Sequence, residues 1–323
     1  MSEIDSLTAE ERELAPEAPV PSTSGAMKAV LTDERFSDPN WIYERKLDGI
    51  RCIAIRDGND VKLLSRNDLK QNDRYPELAE ALENERCDQF VIDGEVVAFE
   101  GSETSFAKLA RRGQEHVPVF YYVFDILWLE GHDVRKLPLR TRKRLLRDAL
   151  QFHGNVRWTQ HRNRDGEAFF KEACRKGWEG LIAKRADSPY VATRSRDWLK
   201  FKCEHGQELV VGGYTEPRGS RVEFGALLLG YYRDGQLQYA GKVGTGFDTE
   251  TLHALAAQLK QLERDDSPFE TPGEIKERNV TWVEPKLVAE IGFTEWTRDH
   301  RLRHPRYLGL RDDKDASEVV REG

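Results

Sequence analysis

Glu44-Arg45-Lys46-Leu47-Asp48-Gly49-Ile50-Arg51 follows the apolar run Trp41-Ile42-Tyr43. A lysine therefore closes a strand-like stretch just ahead of a glycine turn. A free lysine amine, with a pKa of about 10.4, is protonated near neutrality and is a poor nucleophile. Burial and the neighbouring cations Arg45 and Arg51 would lower that value. Gly49 would let the backbone approach a phosphate. Taken alone, Lys46-Leu47-Asp48-Gly49 equally describes a surface turn with a salt-bridged lysine and aspartate. Its neighbours along the chain decide between the two.

Downstream of this stretch, short β-rich runs alternate with turns. Ile50–Ile55 and Val61–Leu64 flank Asp57-Gly58-Asn59, a hairpin signal. Phe90–Ile92 and Val96–Phe99 flank Asp93-Gly94-Glu95, and Val119–Leu129 is a long apolar run. Helical periodicity appears at Leu139–Leu150 and Glu167–Lys176, and strands return at Leu181–Lys184 and Trp198–Lys202. The pattern predicts a mixed α+β domain with mainly antiparallel sheet over residues 26–205. From residue 206 to 323, strands at Leu209–Tyr214, Ala226–Tyr232, Leu237–Val243 and Val283–Phe293 surround one amphipathic helix, Thr249–Leu262. Curved strands with a single helix suit a small all-β barrel of the OB type. Two domains also fit the 323-residue length.

Residues 1–25 carry six acids, one base and three prolines, so a flexible acidic tail is expected there, with a short helix possible at Leu7–Leu14. The tail accounts for −5 of the net charge of −7, which leaves −2 for the body. Net charge of that size neither supports nor excludes a nucleic-acid partner, because a local basic stripe matters more than the sum. Cys52, Cys87, Cys174 and Cys203 form no CxxC pair, which argues against a zinc knuckle. Isolated cysteines of this kind suit a reducing, cytoplasmic setting. No apolar run is long enough to span a membrane, and the N-terminus lacks the apolar core of a secretory signal. The eight histidines show no metal or triad pattern and are assigned no catalytic role.

Other elements add chemistry in a fixed order. Ser65-Arg66-Asn67 ends the second strand of the first hairpin. Glu95 and Glu179 stand beside glycines, where a metal ion or a ribose hydroxyl could be held. Phe124 in Tyr122-Val123-Phe124-Asp125 offers a flat face for a purine. Lys200 and Lys202, two residues apart on a strand, point to one face and would repel unless an anion lay between them. Each residue also has a plain alternative: Phe124 as core, Asp93 as turn, Glu179 as a surface acid, the two lysines as a solvated strand face.

In this order the elements resemble the covalent nucleotidyltransferases: ATP-dependent DNA ligases, RNA ligases and mRNA capping enzymes. Motif I is Lys46-Leu47-Asp48-Gly49-Ile50-Arg51, motif III Asp93-Gly94-Glu95, motif IIIa Phe124-Asp125, motif IV Glu179-Gly180, motif V Lys200-Phe201-Lys202 and motif VI Arg311-Asp312-Asp313-Lys314. Phe224–Gly230, Gly241–Phe247 and Leu302-Arg303-His304-Pro305 resemble the ligase domain of bacterial ligase D. The resemblance implies a nucleotidyltransferase (adenylation) domain followed by an OB-fold domain, and an ATP-dependent DNA ligase of repair or end joining. It further implies that Lys46 carries AMP, and that Glu44, Arg51, Glu95, Phe124, Lys200, Lys202, Arg311, Asp313 and Lys314 contact ATP. Glu179, with Glu95, would bind Mg²⁺ or Mn²⁺, and Arg66 the 5′-phosphate of a break. Arg218, Arg221 and Lys242 read equally as DNA-phosphate contacts or as a solvated face.

The expected partners are nicked or broken duplex DNA and a Ku-like end-binding protein, with no membrane, a monomeric state and a prokaryotic, nucleoid-associated location. A hinge is expected near residues 203–208. Two departures from the family stand out: Asp68 where relatives read Ser-Arg-Asn-Gly, and His300 where relatives tend to have glycine. A guanylyltransferase or RNA ligase would use the same lysine chemistry. A non-catalytic end-binding protein would be expected to lack Lys46, Glu179 or Lys200, and all three are present.

Overall fold

The computed structural model describes residues 3–322 other than 24, 114, 115, 204, 218–221 and 298. Arg218 and Arg221 therefore lie outside the described residues, as does Glu204 of the expected hinge. The chain divides into two compact units, Met1–Cys203 and Glu204–Gly323.

The first unit runs α1 (Ala9–Glu13), β1 (Lys28–Leu31), β2 (Trp41–Lys46), β3 (Ile50–Asp57), β4 (Asp60–Ser65), α2 (Pro76–Glu83) and β5 (Gln89–Val97). It continues β6 (Phe99–Glu100), β7 (Glu103–Thr104), α3 (Phe106–Ala110), β8 (Phe120–Leu129), β9 (His132–Asp133), α4 (Leu139–Ala149) and β10 (Val156–Trp158). It closes with β11 (His161–Asn163), α5 (Gly166–Arg175), β12 (Gly180–Arg185) and β13 (Arg194–Lys202). One sheet has the order β10-β8-β5-β3-β4 and a second the order β1-β13-β12-β2-β11. Most pairings are antiparallel; β1 with β13 and β10 with β8 are parallel.

Successive residues on a strand face opposite ways, so each sheet has two faces to bury. One face of the first sheet, with Cys52, Ala54, Ile92 and Val123, packs on α2 and α4 through Leu78, Leu82, Leu145 and Leu146. Its other face supplies Ile53, Ile55, Val91 and Phe124 to a second cluster that contains Trp198 of the second sheet. The outer face of the second sheet, with Tyr43, Leu181, Ala183 and Phe201, is covered by Phe169 and Ala173 of α5. Gly177, at φ 68°, ends α5 in the left-handed conformation that only glycine adopts cheaply. Between the two sheets lies the face that carries the motif residues.

Three expectations for the first unit are corrected by the fold. Asp93-Gly94-Glu95 is no turn: β5 runs unbroken through it, because its neighbours β3 and β8 pair with it on both sides. Residues 1–25 are not a free tail in their described part. Ile4, Leu7 and Ala15 enter the core, and Ala18 N–H donates to the Gly131 carbonyl at 2.8 Å. Two of the six acids that suggested solvation find partners instead, Glu3 with Arg86 at 2.8 Å and Glu11 with the Thr141 hydroxyl at 2.7 Å, while Asp5, Glu10, Glu13 and Glu17 are exposed. Finally, the four cysteines are not all isolated. Cys174 and Cys203 form a disulfide across a sequence separation of 29, because α5 ends beside the last strand of the sheet. Cys52 and Cys87 are free and buried.

The second unit contains β14 (His205–Thr215), β15 (Leu227–Arg233), β16 (Gln236–Val243), α6 (Thr249–Lys260), β17 (Glu263–Arg264) and β18 (Val280–Val283). It ends with β19 (Val288–Phe293), β20 (Glu295–Trp296), β21 (Leu302–Arg303) and β22 (Arg306–Leu310). The long β14 pairs with β15 on one side, and with β18 and β19 along successive parts of the other. It thereby joins the strands around one apolar core, which α6 closes with Leu252, Leu255, Ala256 and Leu259. The expected single strand Val283–Phe293 is two, β18 and β19, because Pro285 between them cannot donate to a ladder.

Candidate active site

Strand register assembles the site. Gly180 stands opposite both Lys46 and Lys202, Ile182 opposite both Glu44 and Lys200, and Lys184 opposite both Ile42 and Trp198. His161 of β11 stands opposite Glu44 on its other side. Directly paired residues share a face, so one face of the second sheet presents Lys46, Glu44, Lys184, Lys200, Lys202 and His161. The first sheet turns Arg51, Asp93 and Phe124 toward it.

The glycines permit this closeness. A Cβ on Gly180 would lie 1.9 Å from the Phe201 carbonyl oxygen, and one on Gly49 would lie 2.2 Å from that of Val96. Gly49 is thus required by strand packing, where its sequence context suggested an approach to phosphate. Asp48 braces the same turn by accepting from Phe106 N–H at 2.9 Å, while its own N–H donates to the Thr104 hydroxyl at 3.1 Å.

Lys46 is paired with the Glu179 carboxylate. Burial pulls the ammonium pKa down, but Glu179 outweighs it and the value is raised. This corrects the expectation of a lowered pKa: the nearest charge is an anion, and Arg45 points elsewhere, over the Trp178 ring at 4.5 Å. Lys202 acts on Lys46 in the expected, lowering direction. Burial would raise the Glu179 carboxyl, yet Lys46, Lys202 and Lys200 hold it below the usual range. The three lysines thus converge on one carboxylate.

Arg51 forms a bidentate pair with the fully buried Asp93, both contacts 2.5 Å, and Asp93 also accepts from the Tyr190 hydroxyl at 2.7 Å. Burial acts to lower the guanidinium pKa, and Asp93 outweighs it and raises the value. Arg51 stands 4.7 Å from the centre of the Phe124 ring.

Beside them is a buried charge cluster that the motifs do not reveal. Glu44, 2 % exposed, bonds Lys143 at 2.5 Å through one oxygen and Lys184 at 2.6 Å through the other. Burial pushes the Glu44 carboxyl up, but the two lysines bring it below its ordinary value. Lys184 lies 4.0 Å from the Phe124 ring centre and 4.1 Å from that of Trp198. Burial is the main reason its pKa falls to about 8. Asp125, next to Phe124, is fully buried in a bidentate pair with Arg142 at 2.7 and 2.9 Å. Strand alternation from Gly180 through Ile182 would have flagged Lys184; nothing in the spacing of α4 points to Lys143 or Arg142.

Arg66 lies within a tight turn in which the Ser65 hydroxyl accepts from Leu69 N–H at 3.1 Å and from Asn67 N–H at 3.3 Å. Asp68 in that turn has φ 61° and His300 has φ 57°, so both departures from glycine sit at left-handed positions.

In the second unit, Arg311 is buried in a bidentate pair with Asp313 at 2.8 and 2.9 Å and reaches Glu290 at 3.4 Å. Lys314 pairs with Glu208 at 2.6 Å. Lys242 pairs with Glu277 at 3.0 Å.

Two family models match the chain. "ATP dependent DNA ligase domain" covers residues 22–202 and "ATP dependent DNA ligase C terminal region" residues 220–314. The multifunctional non-homologous end joining protein LigD of Pseudomonas aeruginosa is 36% identical over 291 residues, 87% of this chain and 35% of that protein. The LigD DNA repair protein of Mycobacterium tuberculosis is 36% identical over 309 residues, 94% of this chain and 40% of that protein. The chain thus spans well under half the length of these relatives. Among solved structures, a mycobacterial DNA ligase D complexed with ATP and MES matches with a TM-score of 0.67 and 35% identity, over 92% of this chain and 98% of that one.

Proposed function

This chain belongs to the ATP-dependent DNA ligase family, with an adenylation domain followed by an OB-fold domain, and from that premise we propose the reaction its site performs. Lys46 Nζ attacks the α-phosphorus of ATP, an N–P bond forms and pyrophosphate leaves. The AMP then passes to the 5′-phosphate of a DNA break, and the 3′-hydroxyl attacks that phosphate and expels AMP. The observation that carries this reading is the convergence of Lys46, Lys200 and Lys202 on one sheet face around Glu179.

An ammonium cannot attack, so the proton on Lys46 must go. When the Glu179 charge is turned to another cation, burial and Lys202 remain, and both favour the free amine. Lys200 and Lys202 then stabilise charge on the α-phosphate oxygens, where catalysis of phosphoryl transfer mainly lies. Glu179 and Glu95 would hold Mg²⁺ or Mn²⁺, which supplies further neutralisation of the phosphates. The described residues contain no group of three metal-ligating side chains, which fits an ion that keeps its waters and takes substrate oxygens.

Phe124 and Glu44 serve the base. Arg51, already held by Asp93, serves the ribose or phosphate with Glu95. Arg66 takes the 5′-phosphate of the break. Arg311, Asp313 and Lys314 are assigned to the pyrophosphate and Lys242 to DNA phosphate, with Lys314 and Lys242 first leaving Glu208 and Glu277. The physiological role is repair or end joining of duplex DNA by a monomer in the bacterial nucleoid, with a Ku-like partner at the ends. Two LigD relatives named for end joining support this assignment.

The test is covalent labelling. Protein treated with pyrophosphate is incubated with a divalent metal and ATP or GTP, then weighed by mass spectrometry and mixed with nicked DNA. Gain of AMP on Lys46, absent in Lys46→Ala and discharged with sealing, is the expected result. Gain of GMP instead would move the chain to the capping enzymes, and no gain from either would overturn the reading.

A further inference from the structure

Two buried polar atoms beside Glu44 have no hydrogen-bond partner: the hydroxyl oxygen of Thr159 and Nδ1 of His161. Thr159 is 3 % exposed. A hydroxyl or imidazole nitrogen withdrawn from water without a partner is unfavourable, and native structures rarely keep one without a use. Thr159 lies on the short connection from β10 of the first sheet to β11 of the second, and His161 opens β11.

Their place is fixed by the same ammonium that holds Glu44. Lys143 Nζ donates to Glu44 at 2.5 Å, and lies 3.4 Å from the Phe124 carbonyl oxygen and 3.4 Å from that of Thr159. Thr159 N–H donates to the Val123 carbonyl at 2.9 Å, next to the aromatic plate. His161 stands opposite Glu44 in the register and so shares the face that carries Lys46. Both oxygens of Glu44 are engaged by Lys143 and Lys184, so the carboxylate by itself leaves little capacity to read a ligand edge. Lys184 Nζ and Trp198 Nε1, also without a hydrogen-bond partner here, can only donate, so the acceptor capacity without a partner belongs to the hydroxyl and the imidazole.

We propose that Thr159 and His161 are specificity-determining residues for the purine, reading the 6-amino edge of ATP beside Phe124 and Glu44. The imidazole Nδ1 accepts a hydrogen bond from the 6-amino group, and the Thr159 hydroxyl donates to a ring nitrogen. A purine with a carbonyl at position 6 presents an acceptor to an acceptor there, next to the Glu44 carboxylate, and is rejected. A buried polar atom left facing the wrong partner is what gives such sites their discrimination. The imidazole is suited to accept because burial, seconded by Lys143, pushes its pKa down to about 4. Glu44 acts the other way, and Arg140 and Lys184 also face it, in the lowering sense.

This inference rests on the proposed adenylation of Lys46, and its test keeps the two apart. AMP or IMP transfer to Lys46 is followed by mass spectrometry with ATP and with ITP, which carries a 6-carbonyl and no 2-amino group. In the unaltered protein, transfer from ATP is the control for the parent reading; its absence would sink that reading whatever the variants do. Thr159→Val and His161→Phe are each expected to lower the ratio of kcat/KM for ATP over ITP about tenfold, the effect of one hydrogen bond to a base. Thr159→Ser and His161→Asn, which keep a polar atom in place, are expected to retain most of the ratio. If adenylation proceeds and the ratio stays within twofold in both apolar variants, the two residues do not read the base. If Thr159→Val fails to fold, the ratio in His161→Phe, at a partly exposed position, decides the matter by the same twofold limit.

Discussion

Arg142→Met tests how the aromatic plate of the site is held. Arg142 and Asp125 are both fully buried, and the guanidinium also donates to the carbonyls of Leu137 at 2.5 Å and Ser188 at 2.9 Å. Methionine keeps the stem but strands a buried carboxylate charge and the Leu137 carbonyl, while the Ser188 carbonyl keeps the Leu139 N–H at 3.1 Å. Removing one partner of a buried pair costs about 3–5 kcal/mol, because the other charge remains in a low dielectric. For a unit of this size that predicts a fall in melting temperature of about 6–20 °C. Since Asp125 adjoins Phe124, the KM for ATP in adenylation should rise in the variant at temperatures where it is still folded. Calorimetry of the unaltered protein, of Arg142→Met and of the double variant Asp125→Leu with Arg142→Met reads the effect. The double variant should recover part of the loss, because no charge is left unpaired. A fall below about 3 °C, by the same scaling, or a double variant less stable than the single one, would refute the idea that this pair is a buried electrostatic pin.

Glu179→Gln removes the charge that raises Lys46, so an amine-reactive reagent should modify Lys46 faster at a fixed neutral pH than in the unaltered protein; equal rates would show that the pair does not govern the amine. His161 has its pKa lowered to about 4, so the unfolded chain takes up its proton first as pH falls. Stability should therefore drop between pH ~6.5 and ~4, by well under ~3 kcal/mol because solvent screens the partly exposed imidazole, and no further below; urea midpoints across that window should lose the slope in His161→Phe. The Cys174–Cys203 disulfide spans a separation of 29, for which chain entropy gives about 3–4 kcal/mol, so reduction should lower the first unit's melting temperature while leaving that of Cys174→Ser unchanged. Lys200→Ala should slow AMP transfer at least tenfold in single-turnover mass spectrometry while the melting temperature stays within a few degrees, the sign of charge placed for a transition state; an unaltered rate would return this lysine to the solvated strand face.

The strands that bear the motifs were legible because alternation is local. The hairpin about Gly58, the long run ending at Leu129 and the helices near 139 and 167 all follow from spacing and turn residues. Asp93-Gly94-Glu95 misled because glycine flanked by acids is a turn signature, while its actual role depends on two neighbouring strands far along the chain. The N-terminal segment misled for the same reason. Glu3 and Glu11 look solvated until Arg86 and the Thr141 hydroxyl, both distant in sequence, are brought beside them. Residue types at the site were readable, yet their states were not. Whether Lys46 meets a cation or an anion first is decided by the register of β12 against β2, and no local pattern encodes it. The two left-handed residues show the converse. The family's preference for glycine is a backbone requirement, and Asp68 and His300 meet it at a conformational penalty.

A net charge of −7 sits oddly with a reaction among polyanions until the cations are followed one by one. Lys46 is matched by Glu179, Arg51 by Asp93, Lys184 and Lys143 by Glu44, and in the second unit Arg311 by Asp313 and Lys314 by Glu208. Within each unit, such groups left unpaired would repel one another in a partly dehydrated setting. The carboxylates keep them charged and in place before any ligand arrives. A phosphate then competes with a carboxylate for a cation already positioned, so binding exchanges one anion for another and requires little new order. Where the carboxylate is itself locked, as Asp93 is by the Tyr190 hydroxyl and Asp313 by its bidentate grip, the cation is a fixed fork. Where one ammonium meets one carboxylate, as at Lys46 with Glu179, exchange is easier. In the proposed reaction, that difference would separate basic residues that orient the nucleotide from those that follow the phosphate.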